Sequence, residues 1–180
     1  MKFIDFIKNI IAPKKCYSCQ KLWHFLCPDC FLKLNNHKAY CYLCKRESYT
    51  YKIHESCKND NFFIDKVMVL THYKNNLIKK LIKDAKYHNR KDILDDFSFY
   101  LSELLLKNCD DNLEDYIIVS RPMFCLKKLF RWYNQADILA KFISTKIKIV
   151  YYNDLVLKIK YTKSQSRLSR QDRLKNLENS

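Results

Sequence analysis

Residues Cys16–Cys30 read CYSCQKLWHFLCPDC, two C-x-x-C pairs with a short aromatic stretch between them. A C-x-x-C turn sets two sulfurs on one side of a tight loop, where both reach one metal at about 2.3 Å. The spacing recurs at Cys41/Cys44 and, with a histidine, at His54/Cys57. Two such turns complete a tetrahedron, and four supply donors for two metals. The simplest pairing is sequential. Cys16, Cys19, Cys27 and Cys30 then form one four-cysteine site; Cys41, Cys44, His54 and Cys57 form a second, of three cysteines and one histidine. An interleaved pairing stays open.

Zinc suits closed thiolate and imidazole sets of this kind, so one or two structural zincs are expected. A redox couple would need a single C-x-x-C at a strand-to-helix junction, not a row of pairs. An iron–sulfur cluster could use four of the thiolates, but the ribbon spacing favours zinc. His24 and His37 are spare candidates, better read as surface or packing residues. Trp23 and Phe25 either pack across the turns or stack on bases.

Outward from this stretch, the chain has 180 residues, 34 Lys+Arg against 19 Asp+Glu, and a formal charge of +15. Two filled sites would set seven thiolates against four metal charges and lower that to about +12. Such a balance favours a polyanionic partner. A codon bias toward lysine would give the same composition. There is no glycine. That excludes a glycine-built phosphate cradle, and asparagine is expected to take most left-handed turn positions.

The N-terminus, residues 1–13, has apolar residues at helical spacing, broken by Asp5, Lys8 and Asn9. It reads as a short amphipathic helix, not a signal peptide, and no apolar run reaches transmembrane length. A cytoplasmic, reducing location is expected, and disulfides fit it poorly.

The cysteine module spans 14–60, and a second unit follows over 61–180. FFIDKVMVLTHY (Phe62–Tyr73) reads as a buried strand. Leu77, Ile78, Leu81, Ile82 and Ala85 mark a helix, and a second helix spans about Asp92 to Lys107. YIIV (Tyr116–Val119) is a short strand, Asn134 to Ser144 a helix, KIKIVYY a strand, and DLVLKIK a strand or short helix. Ser169 is placed to cap a last basic helix through Leu177. Asp95-Asp96 reads as a solvated helix face, and Asp110-Asp111 as a helix end or loop. Alternating strands and helices argue for a parallel α/β sheet.

The order of these features resembles the ComF family of competence-associated proteins. IIAPKKCYSC is similar to that family's apolar helix, proline and first metal turn. FIDKVMVLTHYKNNLIKKLIKDAKY is similar to its opening strand and helix, closing on Lys86-Tyr87. IIVSRPMFCLKKLFRWYNQADILA matches a segment with the pattern R-G-F-N-Q-A, through Arg131, Tyr133, Asn134, Gln135 and Ala136. TKSQSRLSRQDRLKN matches a Q-x-x-L-S-R-x-x-R-x-x-N block, through Gln165, Leu168, Ser169, Arg170, Arg173 and Asn176. Three departures stand out. Trp132 replaces the glycine, so that turn is expected to be reshaped. Ser120 and Cys125 stand where the family usually has prolines. The paired-aspartate, Thr-Thr-Gly loop of the family is not among the 180 residues, which suggests a C-terminally truncated form.

The resemblance implies a double zinc ribbon followed by a partial, type I phosphoribosyltransferase-like α/β domain. It implies cytoplasmic handling of incoming single-stranded DNA in natural transformation, alongside the DNA-uptake machinery. Arg131, Arg167, Arg170, Arg173 and Lys175 are the candidate DNA contacts. Without the loop, neither phosphoribosyl pyrophosphate nor magnesium is expected to bind, and no catalysis is expected. Two alternatives remain: a phosphoribosyltransferase-type enzyme completed by a further segment, and a zinc-ribbon interaction module on a degenerate domain. A complementing fragment or a second copy is a candidate partner, because an incomplete parallel sheet leaves an apolar edge.

Overall fold

The computed structural model describes residues 13–34, 38–59, 62–109, 112–126, 129, 132–162 and 168–177. The N-terminal segment 1–12, His37, Asp110, Asp111, Arg131, Gln165 and Arg167 lie outside the described residues.

The described residues begin with two small cysteine-bearing turns and continue into helices with a two-stranded sheet. Helix α1 is Pro28–Leu34, α2 is Asn76–Tyr87, and α3 is Ile93–Asn108. Strand β1 is Ile117–Val119, α4 is Gln135–Ile147, β2 is Val150–Tyr152, and α5 is Arg170–Leu177. The expected α/β architecture with an N-terminal cysteine-rich ribbon is therefore present.

Strands β1 and β2 are parallel, with Ile117 opposite Val150, Ile118 opposite Tyr151 and Val119 opposite Tyr152. A parallel pair needs a crossover, and α4 supplies it. The pleat sends Ile118 into a small core with Ile143, Ile147 and Ile149. Its neighbours Ile117 and Val119, with Val150 and Tyr152, stay exposed on the other face.

Local chemistry fixes the helix ends. Asn75 accepts from the amides of Leu77 at 2.9 Å and Ile78 at 3.3 Å, starting α2. Asn134 accepts from the Ala136 amide at 3.1 Å, starting α4, while its own amide donates to Arg121 O and Asp137 Oδ1. Ser169 caps α5 as expected, accepting from the Asp172 amide at 3.2 Å. Ser98 and Ser102 are fully buried within α3, each donating its hydroxyl four residues back, to Leu94 O and Ser98 O.

The main core joins ribbon and body. Cys16, Phe25, Leu26, Cys27, Cys30 and Phe31 pack with Ile78, Leu81 and Ala85 of α2 and Ile93, Leu94, Phe97 and Tyr100 of α3. Phe31 stacks on Tyr100 with ring centroids 3.9 Å apart.

Four expectations are corrected. Residues 62–70 form no strand of the sheet; a single bridge at Lys66 pairs them with Lys52 of the ribbon. Two further bonds, Ile53 N to Asp65 O and Val67 N to Tyr51 O, tie the segment there. Phe63 and Ile64 are exposed. The segment 154–160 is neither strand nor helix, and Leu155, Val156, Leu157 and Ile159 face solvent; among the described residues no strand lies beside it to complete a ladder. Helix α4 runs on to Ile147, so the strand expected from Lys146 begins at Val150.

Left-handed positions form the fourth correction. Gln20, Trp23, Lys45, Thr50, Tyr51, Asn89, Trp132 and Lys148 all have positive φ, and only one of them is asparagine. Trp132 is among them, at φ 63. Each such non-glycine residue costs about 1–3 kcal/mol, which the surrounding packing must offset.

Candidate metal centres

The first centre is built by two kinds of local structure. Lys15 and Leu22 bridge antiparallel, and between them Cys16 N donates to Lys21 O at 2.9 Å and Gln20 N to Cys16 O at 3.0 Å. The left-handed Gln20 closes this turn and presents Cys16 and Cys19. The other pair sits on the start of α1. Phe31 N donates to Cys27 O at 2.9 Å, so Cys27 caps the helix, Pro28 takes its first position and Cys30 lies in its first turn.

The second centre repeats the first turn. Tyr40 and Glu47 bridge antiparallel, Cys41 N donates to Arg46 O and Lys45 N to Cys41 O, and Lys45 is left-handed. Its other half is different: His54 precedes a single 3-10 turn, Glu55–Cys57, that Cys57 ends, closed by Cys57 N to His54 O at 2.8 Å.

The donor atoms of Cys16, Cys19, Cys27 and Cys30 all lie within 4.8 Å of one another, and so do those of Cys41, Cys44, His54 and Cys57. The pairing is sequential. Cys19 Sγ is 3.5 Å from Cys27 Sγ, and Cys44 Sγ is 3.2 Å from His54 Nδ1. A disulfide needs about 2.05 Å, and all these cysteines are free. A tetrahedron with 2.3 Å bonds has edges of about 3.8 Å, which these separations approach. The donor sets therefore fit a four-coordinate metal.

The thiols differ in acidity. Burial opposes ionisation of Cys16, but the amides of Cys19, Cys27 and Ser18 outweigh it and bring the thiol down to about 6. Burial, with its sulfur neighbours, pushes Cys27 up to about 12. In the second centre the Arg46 side chain, then its amide, bring Cys44 down to about 5. Burial and the neighbouring sulfurs raise Cys57. Sulfurs this close cannot all ionise beside one another, and a divalent cation removes the conflict.

Both centres have outer partners that the spacing of cysteines does not reveal. Asp96 is the chief one. Its Oδ2 accepts from Phe25 N at 2.7 Å and Leu26 N at 3.0 Å, immediately before Cys27, and His24 Nδ1 lies 3.4 Å from its Oδ1. Asp95 binds Lys14 at 3.4 Å. The expectation of a solvated face is wrong for Asp96, 13% exposed, whereas Asp95 stays 49% exposed. One signal was available: Asp96 falls three residues after Ile93 and four before Tyr100, beside the apolar stripe of α3. Tyr100 adds a bond to Leu26 O at 2.7 Å, and Tyr17, inside the first turn, donates to Asp84 of α2 at 2.8 Å.

The other sequence candidates are scattered. His24 stands outside the sulfur cluster. Trp23 is exposed and Phe25 buried. Lys86 and Tyr87 end α2 and are exposed; Asn134 and Gln135 begin α4; Ser169 and Asn176 flank or lie on α5. Arg170, Arg173 and Lys175 are positions of α5, and Lys175 is exposed. Among the described residues no helix is long and apolar enough to cross a membrane.

The chain is similar to competence protein F of Haemophilus influenzae, with 28% identity over 172 residues, covering 92% of this chain and 74% of that protein. Neither a family model nor a solved structure matches the chain.

Proposed function

We propose that this ComF relative is a cytoplasmic accessory of natural transformation that handles incoming single-stranded DNA. The observation that carries the reading is the pair of four-donor clusters in a chain alignable with a competence protein over 92% of its length. Zinc is the metal the donors favour, with one ion on Cys16, Cys19, Cys27 and Cys30 and another on Cys41, Cys44, His54 and Cys57. Four protein donors at each centre leave no position for a reacting water, so both ions would hold structure. No catalytic role is proposed for them.

Charge and exposed rings support DNA as the partner. The net charge is +15. Trp132 is 88% exposed, next in sequence to Arg131, and offers a ring on which a base can stack. Lys175 lies on α5 with Arg170 and Arg173. Trp23 and Trp132 are the two tryptophans, so their fluorescence reports binding directly. Titration with a single-stranded oligonucleotide should quench it, with an affinity that falls steeply with salt. Trp132→Ala should weaken binding by about 1–3 kcal/mol, and a combined change of Arg170, Arg173 and Lys175 to alanine should flatten the salt slope. Undetectable or salt-independent binding would overturn the reading.

A second reading, an interaction module, is favoured by the apolar sheet face of Ile117, Val119, Val150 and Tyr152. A second copy or a complementing fragment would cover it. Light scattering that finds a monomer at high concentration argues against the second copy.

A further inference from the structure

A cavity of about 310 Å³ lies between α2, α3, the start of α4 and residues 70–73, and none of the eight cysteine and histidine donors lines it. Its wall is mostly aliphatic and aromatic, with Ile82 of α2, Phe97 and Leu101 of α3 and Leu139 of α4 among the lining residues. Thr71 and Gln135 also line it. Among the described residues, three buried side-chain polar atoms have no hydrogen-bond partner, and two of them are Thr71 Oγ1 and Gln135 Nε2.

Buried polar atoms are nearly always paired, so an orphan asks for an explanation. Two orphans on the wall of one apolar cavity ask for a shared one. Both atoms can donate: a hydroxyl from Thr71 and an amide N–H from Gln135. A group with two acceptor oxygens answers both, and a carboxylate is the commonest such group. Lys86 lines the same cavity and is exposed, which places a positive charge at its rim. Apolar walls with a few convergent polar groups are the usual make-up of a small-molecule site. The start of α4 divides the labour: Asn134 turns inward to cap the helix, and Gln135 is left to serve the cavity.

We propose that this cavity binds a small amphipathic carboxylic acid, its apolar body among Ile82, Phe97, Leu101 and Leu139 and its carboxylate on Thr71 and Gln135.

Calorimetric titration of the zinc-loaded full chain with octanoate, and with octanol as a neutral body of the same length, tests this. One saturable octanoate site per chain is expected, with octanol at least about tenfold weaker, since hydrogen bonds to a charged group are the strong ones. Gln135→Leu and Thr71→Val should each weaken octanoate about tenfold and leave octanol unchanged, which also certifies the fold of each variant. Ile82→Phe should block both ligands by filling the space. The proposal is overturned if neither ligand saturates, if octanol binds as tightly as octanoate, or if the two polar variants leave the ratio unaltered. A crystal structure with ordered water on both atoms, together with no binding, would overturn it as well.

Discussion

The two metal centres share a turn and differ in everything attached to it. Around Cys16 and Cys41 the backbone bonds, the antiparallel bridge and the left-handed residue correspond one for one. The first centre is then sunk into the body. Three of its cysteines lie in the main core, Asp96 holds the bend leading into Cys27, and Phe31 stacks on Tyr100. The second centre keeps company mainly with its own loops and with residues 62–70, through Ile53, Asp65 and Val67. The same ligand chemistry thus serves two ends: one centre is part of the core, and the other fastens a peripheral loop. Spacing of ligands sets the metal, whereas the residues outside the spacing set how far its loss is felt.

The sharpest way to break the comparison is to remove one ligand from each centre. Structural zinc contributes roughly 10–16 kcal/mol in small modules, against a typical domain stability of about 5–15 kcal/mol. Cys16→Ser or Cys27→Ser should therefore abolish the cooperative thermal transition of the whole chain. Cys41→Ser should lower the metal content from two per chain to one and leave the helical circular dichroism in place. Equal loss of helix in both variants would show that the centres are not different in kind.

The next effect is that of the clamp. Asp96→Ala strands the amides of Phe25 and Leu26, and about 2–4 kcal/mol of stability should be lost in urea unfolding. Glu47→Ala, beside the second turn on an exposed pair with Lys38, should cost under about 1 kcal/mol. A similar midpoint shift for the two would remove the asymmetry.

A smaller change is expected from Arg46→Ala. Its guanidinium holds the Cys44 thiol low, so zinc at the second centre should weaken about tenfold in competition with a chelator, with the melting of the body unmoved. Smallest of all, Lys148→Gly relieves a left-handed residue at the end of α4 and should raise stability by about 0.5 kcal/mol, in neither centre.

The sequence makes the ligand sets legible because a metal turn is local. Cys16 and Cys19 meet through a turn closed within the same few residues, and periodicity in the same way exposes α2 and α3. Nonlocal partners are another matter. Asp96 looks like a solvent-facing charge on its helix, because the amides it binds lie 70 and 71 residues earlier in the chain. Phe62–Tyr73 has the composition of a buried strand, yet a strand needs neighbours, and this segment finds the ribbon. The left-handed positions follow from turn geometry rather than residue preference. Without glycine, residues such as Thr50 and Trp132 accept the conformation the turn imposes.

The Asp96 clamp also sets an order of events during synthesis. The backbone of Phe25 and Leu26 precedes Asp96 and Tyr100 by 70 to 74 residues. At ribosomal speeds of about 5–20 residues per second, that delay is roughly 4–14 s. Until it ends, the first four sulfurs lack the cover of α3. In that window the turn's own backbone bonds, and a metal where one is bound, hold them in place. A bound ion would then be a placeholder before it is a staple, keeping two amides aimed at a carboxylate that has not yet been made.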